Sequence, residues 1–235
     1  MKRSILLLYS FILVNGCLFA QKNDAVIVKA GTRLIDYFPV TERYIYPDFT
    51  QGKAIFTKDR IFPSEFNFNM ISCEMEFIKS NDTLIITDKS DLLSIVVAQD
   101  TFYYHHGYLQ KIQNGKLNIY LKRSIVMKDI LKKGAMGTIN RSAASESYDY
   151  LLTKPLSWDL VADIDIKFQK EEEYFYSVSE NDFVLFNKKN SLKMLPNNKH
   201  AVRTYIESNK IDFKDREDVL ELTDFICKLM PISSM

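Results

Sequence analysis

From Phe49 to Ile125 apolar and polar side chains take turns along the chain. A period of two sends successive side chains to opposite sides of an extended backbone. A helix with this pattern would have no apolar face, so the segment is read as a series of half-buried strands. Candidate strands run over 52–57, 64–69, 74–78, 83–87, 93–97, 101–104, 108–112 and 116–121. Polar turns separate them at Lys58-Asp59-Arg60, Ser80-Asn81-Asp82, Asp88-Lys89-Ser90-Asp91 and His105-His106-Gly107. Asn114-Gly115 is predicted to be a type I′ hairpin turn, since Asn and Gly tolerate the positive φ it needs. Short strands at this spacing predict a mainly β fold: an antiparallel meander, a sandwich or an open barrel.

The flanks differ. Residues 21–47 read as a weakly structured lead-in with strand-like pieces at Val26-Ile27-Val28 and Tyr44-Ile45-Tyr46, the second interrupted by Pro47. Residues 126–160 read as a long loop, flexible near 134–148, where small and polar side chains crowd together. Strands resume at 165–168, 174–178 and 183–186. Lys170-Glu171-Glu172-Glu173 reads as a solvated turn, and Lys188-Lys189-Asn190 as a turn into 192–195.

The tail changes period. Ala201, Val202, Tyr205 and Ile206 form one helical stripe; Val219, Leu222, Phe225, Ile226 and Leu229 form another. Asp215 is placed to cap the second helix, with Glu217 and Asp218 in its first turn, and Pro231 ends it. The expected organisation is a β-rich domain over 21–195 and a C-terminal pair of α-helices over 196–235. Helices this short need a surface to dock on, so they are expected to pack as a hairpin on the sheet.

Residues 1–20 have the order of a secretory signal peptide: the positive Met1-Lys2-Arg3, an apolar stretch over 4–14, then small residues at Gly16, Cys17 and Ala20. The apolar stretch is shorter than the roughly 20 residues that cross a bilayer. Cleavage after Ala20 would release a free protein. Cys17, within Val14-Asn15-Gly16-Cys17, would instead serve as a lipid attachment site. Either way the chain is expected to be exported, to the periplasm or to an outer-membrane-associated position, with no transmembrane segment in its mature part. Loss of Lys2 and Arg3 takes the 31 basic side chains to 29, against 30 acidic ones. That balance predicts no nucleic-acid partner. Three cysteines are too few for a disulfide scaffold. Cys73 and Cys227 survive cleavage; export would permit them to pair, whereas the apolar Ile71, Cys73, Met75, Phe77 window favours a core-facing free thiol for Cys73.

Few residues invite chemistry. His105 and His106 could hold one metal ion only within a turn, with Asp100 or the distant His200 completing the site. Asn67 and Asn69 could face a polar ligand or bond nearby backbone. Tyr103 and Tyr104, with Tyr108 beside them, could form a binding surface or fill a sheet. Glu74 and Glu76 share a strand face, expected to be solvated. Gly-x-Ser-x-Gly, P-loop, His-Glu-x-x-His and Gly-x-Gly-x-x-Gly patterns are absent from the sequence. No catalytic residue and no cofactor is predicted.

Three elements occur in order: Tyr46-Pro47-Asp48-Phe49-Thr50-Gln51-Gly52, Phe66-Asn67-Phe68-Asn69 and Glu74-Met75-Glu76-Phe77-Ile78. In these, in Thr101-Phe102 and in the run from Tyr205 to Phe213, the chain resembles a group of uncharacterised exported proteins of Bacteroidota. The likeness covers most of 44–229 and diverges at 134–148. It implies export and a β-rich fold, and carries no catalytic residue. The function expected is a non-enzymatic envelope or periplasmic β-sheet module that binds a protein partner or an envelope component, or plays a structural part. The alternative is a β-barrel that binds a small apolar or sugar ligand; more remote is a metal-dependent hydrolase at His105, His106 and Asp100.

Overall fold

The computed structural model describes residues 25–131, 161, 164–179 and 182–230. The signal-like segment with Cys17 and the loop near 134–148 lie outside these residues. The chain is mainly β, an eleven-stranded antiparallel open sheet with a C-terminal pair of helices.

The strands are β1 (Ala25–Val28), β2 (Thr50–Phe56), β3 (Ile61–Asn69), β4 (Glu74–Lys79), β5 (Asp82–Ile85), β6 (Leu92–Val97), β7 (Asp100–Tyr104), β8 (Tyr108–Gln113), β9 (Asn118–Leu131), β10 (Asp165–Ser177) and β11 (Val184–Leu185). Their order across the sheet is β1-β10-β9-β8-β7-β6-β2-β3-β4-β5, with β11 pairing β10. Two short helices, α1 (Leu34–Tyr37) and α2 (Val40–Arg43), precede the sheet's main run. Three follow it: α3 (Lys188–Met194), α4 (Lys199–Ser208) and α5 (Arg216–Leu229).

Local chemistry explains many boundaries. Ser80 and Asn81, between the paired Lys79 and Asp82, have positive φ, as a two-residue type I′ turn demands; Lys58 and Asp59 also have positive φ, in a three-residue loop closed by the Phe56 N–H to the Arg60 carbonyl. Asp215 caps α5 by accepting from the backbone of Glu217 and Asp218. Asn187 caps α3 by accepting from the Asn190 N–H at 2.8 Å. That cap makes 188–194 a helix, where the sequence suggested a turn and a strand.

Two further expectations change. Gly115 does not adopt a positive φ. The β8–β9 connection is instead a longer loop that turns Leu117 into the core, and Asn118 Oδ1 accepts from the Gly115 N–H at 3.3 Å. The charged run Lys170-Glu171-Glu172-Glu173 lies inside β10, not in a turn. Glu172 stands opposite Arg123 and Glu173 opposite Lys122 on β9, and Glu171 pairs with Lys128. Cross-strand acid–base pairing keeps a charged segment extended. β9 runs on to Leu131, into the region read as loop, where it pairs with residues 165–169 of β10.

The sheet curls. Phe68 on β3 meets Phe102 on β7 and Tyr108 on β8, with ring centroids 6.4 and 6.0 Å apart, although two strands separate β3 from β7. Phe66, Phe68, Met75, Ile95, Val97, Phe102 and Tyr108 fill the space within the curl, each at most 1% exposed. The Ile125 N–H of β9 donates to the Met70 carbonyl beyond β3 at 2.7 Å, joining the two ends of the curl. Along β9 and β10, α3, α4 and α5 cover Ile119, Leu121, Tyr174 and Tyr176. Leu34 and Phe38, from α1 and its end, cover Ile125, Met127, Ile166 and Phe168.

Gly52 is the pinch point of this curl. A methyl there would lie 2.4 Å from the Val96 carbonyl oxygen and 3.1 Å from the Phe66 ring. Gly52→Ala should therefore lower the unfolding free energy by about 1–3 kcal/mol in urea titrations. Gly115→Ala, whose nearest neighbour is 3.9 Å away, should stay within about 0.5 kcal/mol of wild type. Equal effects at the two sites would contradict the pinch.

Candidate functional site

On β3, alternation puts Phe66 and Phe68 in the core and Asn67 and Asn69 on the other side. That second side is not a binding surface: Asn67 and Asn69 are 1% and 0% exposed. The chain before β2 lies across it. Between the Thr50–Phe66 and Tyr44–Asn69 pairings, one chain takes six steps while the other takes three. The Asn67 side chain bonds the displaced backbone, accepting from the Tyr46 N–H at 3.1 Å and donating to the Tyr46 and Asp48 carbonyls at 2.9 and 3.2 Å.

Asn69 donates to Glu76 at 2.9 Å and accepts from the Ile71 N–H at 3.0 Å. The Tyr44 hydroxyl donates to the other Glu76 oxygen at 2.6 Å. Glu76, expected on a solvated face, is thus 1% exposed, while its partner Glu74 is half-buried and paired with Lys89 at 3.0 Å. Burial pushes the Glu76 carboxyl above its ordinary value, against the bonds from Tyr44 and Asn69 and the nearby Arg43 charge. The same carboxylate, after burial itself, raises the Tyr44 phenol. This cluster fastens the lead-in segment to the sheet.

His105 and His106 do lie in a turn, with His106 and Gly107 at positive φ and ring centroids 5.0 Å apart. The remaining ligands of the expected site do not join them. Asp100 sits at the opposite end of β7, where it accepts from the Tyr46 hydroxyl at 2.6 Å, and His200 lies on α4. Among the described residues no group of three His, Cys, Asp or Glu side chains comes together. His105 packs on Phe183 and Phe175, at 5.4 and 6.1 Å between centroids. Partial burial, then the positive neighbours His106 and Lys122, lower its pKa. Cys73, at the β3–β4 turn, and Cys227, on α5, are free thiols.

Tyr103 and Tyr104 face opposite ways and form no common surface. Tyr104 is 40% exposed and packs on Tyr108, with the Lys89 ammonium 5.1 Å from its ring centre. Tyr103 stands on the outer side, edge-on to Tyr120 at 5.5 Å, with Phe183 against both rings. There it lines a cleft of about 430 Å³. Ile55, Leu93 and Tyr120 supply the cleft's remaining apolar surface; Ser94, Lys111, Asn114 and Asn118 supply its polar groups. This volume lies within the range of small-molecule sites. The sequence marked Tyr103 but not its companions, which come from β2, β6, β8 and β9 and meet only through strand pairing.

A second exposed feature is β5, at the end of the sheet's order. All four of its residues are exposed, including Leu84 at 41% and Ile85 at 43%. Fold and sites together define a curled antiparallel sheet module with a filled interior, an open edge and an outer cleft. No known protein family, no curated protein and no solved structure matches the chain. Among the described residues no helix is long and apolar enough to cross a membrane.

The raised Glu76 pKa has a consequence for stability. Between its unfolded and folded values the native state holds more protons, so this group's contribution to stability falls as pH rises through that window. Glu76→Gln carries no such proton. The unfolding free energy of wild type minus that of Glu76→Gln should therefore decline as pH rises from about 4, near the unfolded value, in parallel urea titrations. A difference that rises with pH would contradict the burial effect.

Proposed function

We propose that this chain is an exported, non-enzymatic module of the envelope or periplasm, and that it binds a partner polypeptide by strand addition at β5. The observation that carries the reading is the character of that edge. An edge strand presents unpaired N–H and C=O groups, and proteins usually blunt it with Lys, Pro or a bulge. Beyond Asp82 at its start, β5 continues through Thr83, Leu84 and Ile85, and into Ile86 after it, without charge or proline. β5 pairs with β4 in unbroken register from Lys79–Asp82 to Glu76–Ile85. Such an edge is the template an extended peptide uses in β-augmentation. The signal-like first twenty residues support export. The filled curl gives an apolar ligand little room inside, and Asp100 stands at the other end of β7 from His105 and His106.

The test is a photo-reactive residue in place of Thr83, in the full chain produced in cells. Irradiation should give one discrete adduct, with the partner's cross-linked peptide extended and apolar. Ile85→Lys should abolish the adduct while shifting stability by no more than about 0.5 kcal/mol. Adducts only with a second copy of this chain, or an adduct that survives Ile85→Lys, would overturn the reading.

A further inference from the structure

We propose that the β7–β8 turn binds a phosphate monoester group, held by His105, His106 and Lys122. The site uses no residue of β5 and does not rest on the strand-addition reading.

The turn gathers basic side chains from two places in the chain. Tyr104 pairs with Tyr108, so His105, His106 and Gly107 alone connect β7 to β8. The His105 N–H donates to the Gly107 carbonyl at 2.7 Å and closes the loop. The two imidazoles are 5.0 Å apart between centroids. Lys122 reaches the same turn from β9. A methyl on Gly107 would lie 3.2 Å from Lys122 Cε and 3.7 Å from its Nζ, so glycine leaves the room through which the ammonium approaches. His105 rests on Phe175 and Phe183, which fix its ring, while His106 is exposed.

The charges around these groups are of one sign. Those that act on His105 belong to His106 and Lys122, both positive. The packed elements also carry acids: Glu173 on β10, opposite Lys122, and Asp182 beside Phe183. Neither is among the charges that act on His105. Among the described residues Lys122 makes no ion pair, and neither imidazole has a hydrogen-bond partner. Like charges held together disfavour protonation, and a bound anion reverses that effect.

The number of donors selects the anion. A phosphate monoester carries about −1.5 to −2 charges at neutral pH and three acceptor oxygens. A neutral imidazole donates one N–H, an imidazolium two and an ammonium three, so three side chains can serve three oxygens with charge-assisted bonds. A carboxylate offers two oxygens and a single charge, and leaves a donor over. The exposed turn leaves the ester's remaining part in water, which suits a soluble ester and a lipid headgroup alike.

The experiment is proton NMR of the histidine rings in the full chain, which has three histidines. His200, on α4, is the internal control. Glycerol 3-phosphate should shift the His105 and His106 signals saturably and leave His200 in place; acetate and chloride at matched ionic strength should not. Lys122→Gln and, separately, the exposed His106→Gln should each weaken binding at least about fivefold. Sulfate, whose double charge does not change over this range, should bind at least about threefold more tightly at pH 6 than at pH 8, because the histidines gain protons. Vesicles of phosphatidylcholine with and without phosphatidate separate the two sources. Broadening of the His106 signal by phosphatidate vesicles alone assigns a lipid headgroup; no broadening, with glycerol 3-phosphate bound, assigns a soluble ester. Glycerol 3-phosphate no better than acetate, an equal shift at His200, or affinity indifferent to Lys122→Gln would each overturn the proposal.

Discussion

The stacking of Phe68 on β3 against Phe102 and Tyr108, on strands that are not its neighbours, decides the shape of this protein. A flat sheet would leave one greasy face of β2 to β8 open to water. Burying aromatic side chains contributes on the order of 2–3 kcal/mol each, and the cheapest way to bury this face without a second sheet is to curl it onto itself. The curl then imposes local demands. Gly52 must lack a side chain because the Val96 carbonyl and the Phe66 ring both crowd it. β9 must outrun β8, so that its free backbone at Ile125 can meet the Met70 carbonyl. Helices must cover what remains of the same face along β9 and β10.

The opposite side of β3 and β4 follows a different logic. Glu76 is among the few charged side chains in the described residues that are almost fully withdrawn from water. Such burial is unfavourable unless the group is bonded. Tyr44 and Asn69 supply the bonds, and Arg43 lies near enough for its charge to act. A pair of apolar residues would bind the lead-in chain as tightly. The polar cluster adds registration: with Asn67 clasping Tyr46 and Asp48, the chain can enter β2 only with its extra residues looped at one place. The loop in turn sends the Tyr46 hydroxyl to Asp100. A buried hydrogen-bond network therefore sets the register of the curl's first strand.

Much of this architecture was legible in the sequence because it depends on local pattern. Period two marked most of the strands, and Lys58-Asp59 and Ser80-Asn81 turn where polar pairs interrupt it. The tail's two stripes and the Asp215 cap appear as α4 and α5. Two of the misreadings share one cause, which is that a side chain's surroundings are set by residues far along the chain. Glu76 looked solvated because its cover comes from Tyr44, 32 residues earlier. The 170–173 run looked like a turn because its basic partners, Arg123 and Lys128, stand on another strand. Asn187 as a cap did carry a local signal, an Asn with its acceptor three residues before Asn190, but the charged Lys188-Lys189 masked it. The outer cleft had no signal beyond Tyr103, since five strands' worth of spacing assembles it.

The pairing of β5 sets what a strand added at this edge, as proposed, would have to look like. Leu84 is opposite Phe77, on the core-facing side; Ile85 is opposite Glu76, on the side of the polar cluster. A strand laid beside β5 would therefore extend both sides at once. Next to Leu84 it would prolong the phenylalanine-rich core past Phe77, and there an apolar residue gains by burial. Next to Ile85 it would lie at the margin of the covered layer that holds Glu76, and an apolar residue again has a neighbour to cover. Alternation, the rule for strands with one wet face, would waste one of these contacts. The edge thus favours a short run of consecutive apolar residues, the pattern of a strand covered on both faces, over the alternating pattern from which this sheet itself is built.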